Sequence, residues 1–143
     1  MAESNSEMAK QTAHAACDFE QHRTGRTPQS VTVLLCDDSL VITLRGVLSQ
    51  AEKDLAKSPA GAAQVQEFHR QLFINTCDSL RREIEKITGV VVREATSEVA
   101  TETGTVVQVF LLAANVAPGT WSGSGLRRKE TFKADVPPDW CPG

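Results

Sequence analysis

Three stretches of this chain fit a pleated sheet and little else: Ser30 to Cys36 (SVTVLLC), Leu40 to Leu48 (LVITLRGVL) and Thr105 to Ala113 (TVVQVFLLA). Each is dense in β-branched and large aliphatic residues, which pack well on a pleated surface and lose side-chain freedom in a helix. Only Asp37, Asp38 and Ser39 separate the first two, and these turn formers make them a hairpin. Val90 to Arg93 precedes the third run across the polar stretch from Ser97 to Gly104, which predicts a second hairpin.

Helical spacing accounts for the segments before each hairpin. From Ser6 to about Arg23, Met8, Thr12, Ala15, Ala16 and Phe19 recur three and four residues apart, the spacing of one helix face. Ser49-Gln50-Ala51-Glu52 has the form of a capping box and predicts a short helix that Pro59 and Gly61 interrupt. From about Ala62 to Thr88 a long helix follows, with Val65, Phe68, Leu72, Phe73, Leu80, Ile84 and Ile87 inward and His69 and Arg70 on or beside the wet face. The first and the long helix end in the same dipeptide, Thr24-Gly25 and Thr88-Gly89, where glycine suits a left-handed cap. That repetition marks either two related halves or a common way to end a helix.

The order is helix, hairpin, helix, hairpin. It predicts an α+β fold, a two-layer α-β-β-α-β-β sandwich with the helices packed on one face of a mainly antiparallel four-stranded sheet. Residues 1–113 form this single domain, and 114–143 read as an irregular Gly/Pro-rich tail, either disordered or anchored through Trp121, Phe132 and Trp140. At 143 residues, 41% of them hydrophobic and 23% charged, the chain is long enough to bury a core of its own.

Composition narrows function more than it names it. A net charge of −3 supplies no field to gather phosphate backbones, and only 5% of residues are aromatic, so a nucleic-acid partner is not expected. No window approaches the 18 or so apolar residues of a membrane span, which predicts a cytoplasmic protein without direct membrane insertion. Cys17, Cys36, Cys77 and Cys141 are too scattered for a zinc or redox motif, and the histidines at 14, 22 and 69 form no ligand pair. The first three cysteines read as buried small hydrophobes and Cys141 as an exposed thiol. Glu94, Glu98 and Glu102 read as a solvated loop series, and no nucleophile elbow or phosphate loop is present. No catalytic residue, metal or cofactor is therefore expected.

The most distinctive polar cluster is His22-Arg23-Thr24-Gly25-Arg26-Thr27-Pro28. Arginines there suit a carboxylate or phosphate, and equally suit the exposed carbonyls of a helix end. Arg26, beyond the cap, is the first candidate for binding an anion. Arg45, within a strand pattern beside Gly46, and Arg70, within the long helix, are the others, each with the alternative of a solvent-facing role.

Gly25-Arg26-Thr27-Pro28, Leu44-Arg45-Gly46-Val47-Leu48, Ala51-Glu52-Lys53-Asp54-Leu55-Ala56, Gly61, Ile87-Thr88-Gly89, Thr101-Glu102-Thr103-Gly104 and Val109-Phe110 together resemble the MpsC-like family. That family is described as a component of a sodium-translocating, membrane-potential-generating system. The resemblance covers roughly residues 8 to 112. Gly-Arg-Thr-Pro stands where the family usually has Gly-Arg-Gly-Pro, and Glu98 where it usually has Asp. The resemblance implies a non-enzymatic accessory or regulatory subunit, a homodimer that docks to a membrane transport complex for sodium or bicarbonate. The alternative is a stand-alone cytosolic sensor of a small anionic ligand at Arg26, Arg45 or Arg70.

Overall fold

The computed structural model describes the backbone of residues 2–116 and 132–136 and the side chains of residues 8–116. Its elements run α1 (Ala2–Thr24), β1 (Ser30–Cys36), β2 (Ser39–Arg45), α2 (Gln50–Leu55), α3 (Pro59–Thr76), α4 (Asp78–Thr88), β3 (Val92–Ala100), β4 (Thr105–Leu112) and β5 (Phe132–Val136). The strands form one antiparallel sheet in the order β3-β4-β2-β1-β5. The α+β class and the two hairpins are as the sequence predicts, except that β3 runs on through Ser97 to Ala100, part of the stretch read as a polar connection.

The first hairpin closes on Cys36 opposite Ser39, with Asp37 in the left-handed region at φ 57°, a conformation that a short polar side chain tolerates. Strand β2 stops at Arg45 rather than continuing to Leu48. At Gly46 the chain bends at φ 70°, with Gln29 packed over it, and Val47 and Leu48 leave the sheet to enter the core. Strand pairing turns Val31, Val33, Leu35, Leu40, Ile42, Leu44, Val106, Phe110 and Leu112 to the buried face. Helix α1 lies against β1, β2 and β5, and α3 against β3. Phe73 of α3 joins the layers, its ring edge-on to Phe19 of α1 and to Phe110 of β4, with centroids 6.1 Å apart in both cases.

The matched Thr-Gly junctions are the same device built twice. The hydroxyls of Thr24 and Thr88 donate to the carbonyls of Glu20 and Ile84, each at 2.8 Å, and accept the amides of Arg26 and Val90, each at 3.2 Å. Gly25 and Gly89 sit at φ 79° and 75°, where a side chain would be strained, and donate to Gln21 and Glu85. Each helix is thus stopped in one residue and the chain is redirected toward a strand.

Three expectations need correction. The long helix is divided at Cys77, whose ψ of −8° breaks it into α3 and α4. Its inward stripe follows a strict four-residue step, Val65, His69, Phe73, so His69 is 2% exposed while Phe68 is 56% exposed. The sheet also gains a fifth strand from the segment read as an irregular tail: β5 pairs with β1 from Val31 opposite Val136 to Leu35 opposite Phe132. An edge strand presents unpaired amides and carbonyls, and a later segment of the same chain satisfies them. Trp121, Trp140 and Cys141 lie outside the described residues. Of the other cysteines, Cys17 and Cys77 are buried and Cys36 half-buried, and Cys17 is engaged in a disulfide.

Gly61 lies in the first turn of α3, where an added Cβ would run into the backbone carbonyl of Leu55. Nothing stands near Gly89. Gly61→Ala should therefore cost about 2 kcal/mol or more through displaced backbone, and Gly89→Ala about 1 kcal/mol through φ alone, in thermal unfolding.

Candidate functional site

The last two turns of α1 carry a charge into the core. Glu20 falls on the same helix stripe as Ala9, Ala13, Ala16 and Cys17 and is fully buried. A lone buried carboxylate is costly, and Arg23 follows it inside: Nη2 donates to Glu20 Oε1 at 2.7 Å, with the two side chains 3% and 0% exposed. The guanidinium also lies over Phe19, 5.1 Å from the ring centroid. This leaves Glu20 Oε2 and Arg23 Nε and Nη1 buried without a hydrogen-bond partner.

A second polar pair stands nearby in the fold, where α2 begins. Ser49 and Glu52 form the predicted capping box: the Ser49 amide donates to Glu52 Oε1 at 2.9 Å and the Glu52 amide to Ser49 Oγ at 3.2 Å. The other carboxylate oxygen lies 2.7 Å from Nε2 of the buried His69. Burial alone would raise the Glu52 carboxyl, but the Ser49 amide and His69 outweigh it and hold the group below the ordinary range. His69 Nδ1 is buried without a partner.

Between these pairs lies a cavity of about 360 Å³, lined by Arg23, Thr24 and Arg26 from the end of α1, Ser49 and Glu52 from the start of α2, and Phe68 and Leu72 from α3. Its chemistry is a buried guanidinium with unused donors, an exposed arginine, an engaged carboxylate and an apolar wall. A wider groove of about 560 Å³ runs between α1 and α4, with His14, Asp18, His22 and Glu83 along Phe19, Leu80 and Ile87. Among the described residues no group of three or more His, Cys, Asp or Glu side chains is placed to hold a metal ion.

The three arginines singled out in the sequence do not converge. Arg26 borders the cavity. Arg45 is exposed on the opposite side of the sheet and donates from Nη1 to Thr32 at 2.9 Å. Arg70 faces solvent on α3, 3.4 Å from Glu67 and 3.8 Å from Glu98. Glu94, Glu98 and Glu102 are exposed, but Glu94 and Glu98 lie in strand β3 rather than in a loop, and only Glu102 stands in the turn that follows. Burial raises the Cys77 thiol, which disfavours its thiolate and suits an inert core residue. The residues that sequence reading passed over are Glu20, His69 and Arg23 as a buried group. Their signal was positional: Glu20 lies four residues after Ala16, and His69 midway between Val65 and Phe73.

A family model described as "Na+-translocating membrane potential-generating system (MpsC)" matches residues 4–114. The chain belongs to the MpsC family. The match takes in every residue that lines the cavity and ends before β5. "Uncharacterized protein YbcI" of Bacillus subtilis (strain 168) is 26% identical to the MpsC chain over 112 residues, 78% of this chain and 90% of its own length. No solved structure matches.

Both buried pairs of the MpsC chain are open to test by chemical denaturation. Arg23→Met leaves a charged Glu20 alone in the core and should cost about 3–5 kcal/mol, whereas Glu20→Leu together with Arg23→Met should cost less than that single change. Glu52 is the acid case of pH linkage. Its folded value lies below the ordinary value of 4.5, so its contribution is complete above that pH and is lost as pH falls through the lowered folded value. Glu52→Gln should destabilise the protein at neutral pH, and the gap from the parent should close on acidification below about 4.

Proposed function

We propose that this chain is a non-enzymatic accessory or regulatory subunit of a Na+-translocating, membrane-potential-generating system, acting in the cytoplasm as a homodimer and through protein–protein contacts. The family description supports the association with that system. No helix among the described residues is long and apolar enough to cross a membrane, which fits a contribution made from outside the bilayer. The exposed carboxylates and the buried Cys77 thiol fit a role without chemistry.

The observation that carries the contact reading is the sheet face turned away from the helices. An antiparallel sheet that faces water alternates apolar with polar residues. Here the outward positions of the central strands include Leu34, Val41, Val107, Val109 and Leu111, all half-buried. Leu34, Val41 and Val109 stand side by side across three strands, and Val107 adjoins Thr43 in the next row. A continuous apolar patch of this kind is what a second sheet covers, and a second copy of the chain supplies a sheet of the same chemistry.

Two measurements test the reading. Affinity capture from native membranes in gentle detergent should recover the chain together with integral-membrane, ion-translocating subunits; recovery of the chain alone counts against the association. Val41→Lys with Val109→Lys should convert a dimer to a monomer in light scattering while the circular dichroism spectrum is kept. A parent protein that is monomeric at all accessible concentrations contradicts the homodimer.

A further inference from the structure

We propose that the cavity between the end of α1 and the α2–α3 corner is a binding site for a small organic monocarboxylate with a planar apolar body. This goes beyond the accessory-subunit reading and does not depend on it. The first support is the unfilled capacity of Arg23. Its side chain is 3% exposed, Glu20 takes only Nη2, and Nε and Nη1 have no partner among the described residues. Leaving donors of a buried charged group unmade costs more than leaving neutral ones, so the free protein retains an unmet demand for an acceptor beside the cavity that Arg23 lines.

The surrounding charges select what that acceptor is. Glu20 is committed to Arg23 through Oε1, with Oε2 buried and without a partner among the described residues, and both Glu52 oxygens are committed, one to the Ser49 amide and one to His69. Arg26, exposed and also lining the cavity, has no acidic partner among the described ion pairs. Arg23 and Arg26 against Glu20 and Glu52 sum to zero, so a monoanion meets Arg26 as the one cation without a carboxylate partner, whereas a dianion would also meet the two carboxylates. A carboxylate also matches the planar donor geometry of arginine.

The apolar part of the ligand follows from Phe68. Two large apolar side chains of α3 are exposed, Phe68 at 56% and Ile74 at 58%, and of these Phe68 lines the same cavity as Leu72. Its ring is held edge-to-face against His69, with centroids 5.4 Å apart, which fixes the orientation in which it meets a ligand. A volume of about 360 Å³ lies at the small end of ligand sites and suits a single ring bearing a carboxylate.

Sodium benzoate is the probe, with benzamide as its neutral counterpart and inorganic phosphate as the dianion, all at matched ionic strength against the full chain. Benzoate should raise the thermal midpoint saturably and give a binding isotherm by calorimetry, while benzamide and phosphate give neither. Arg26→Gln and Phe68→Ser, both at exposed positions, should each weaken benzoate by about tenfold without loss of fold, and Arg45→Gln and Arg70→Gln should leave it unchanged. Glu20→Leu with Arg23→Met should abolish the response, and if that variant does not fold the two exposed variants decide the matter. The proposal is overturned by no saturable response to benzoate, by an equal response to benzamide or phosphate, or by a response that survives both Arg26→Gln and Phe68→Ser.

Discussion

A fully buried carboxylate at position 20 dictates how the end of α1 is built. Glu20 is tolerable in the core only with a cation beside it, and three residues later on the same helix Arg23 supplies one, kept inside by the ion pair and by the Phe19 ring. The helix then ends immediately, because Thr24 and Gly25 turn the chain toward β1 and leave the guanidinium at the helix end instead of under a further turn. The edge-on contact of Phe19 with Phe73 ties this end of α1 to α3, and through Phe110 to the sheet. The capped start of α2, held to α3 by Glu52 and His69, closes the far side. The cavity is the space left between two polar pairs that each had to be satisfied at the junction of three helices.

Much of this frame is legible in the residues. Period-two apolar runs give the strands, Asp37 and Asp38 give the first turn, and the Thr-Gly dipeptides give both helix ends, because each depends on neighbours along the chain. What depends on neighbours in space is harder to read. The division at Cys77 has no Pro or Gly to announce it. The sheet edge that β5 satisfies belongs to β1, about a hundred residues earlier, so nothing local in the Gly- and Pro-rich composition around Phe132 marks a strand. An apolar stripe drawn through Phe68 leaves His69 on or beside the wet face, yet the four-residue step from Val65 to Phe73 selects His69, and Glu52 offsets the cost of its burial.

The candidate site was half visible for the same reason. Arg26 stands in a sequence cluster that points to anions, and it does border the cavity. Arg45 and Arg70 share its chemistry but not its location, since a strand and a helix carry them to separate solvent faces. The residue that gives the cavity its character, Arg23, reads in sequence as an ordinary helix-end cation. Only the burial of Glu20, three residues away, turns it inward. The family match places the chain in a family described by a Na+-translocating system, while the proposed ligand site and protein contact rest on the cavity and the apolar sheet face.

The central claim is that the Arg23 guanidinium is buried with Glu20 beside the cavity, with donors left without a partner among the described residues. Nitrogen-15 NMR of arginine Nε–H groups tests it directly, residue by residue, with and without benzoate. The account predicts a resolved Arg23 Nε–H signal that exchanges slowly with water and moves saturably as benzoate is added, while those of Arg45 and Arg70 stay in place. An Arg23 signal that exchanges as fast as those two and is unmoved by benzoate would contradict it.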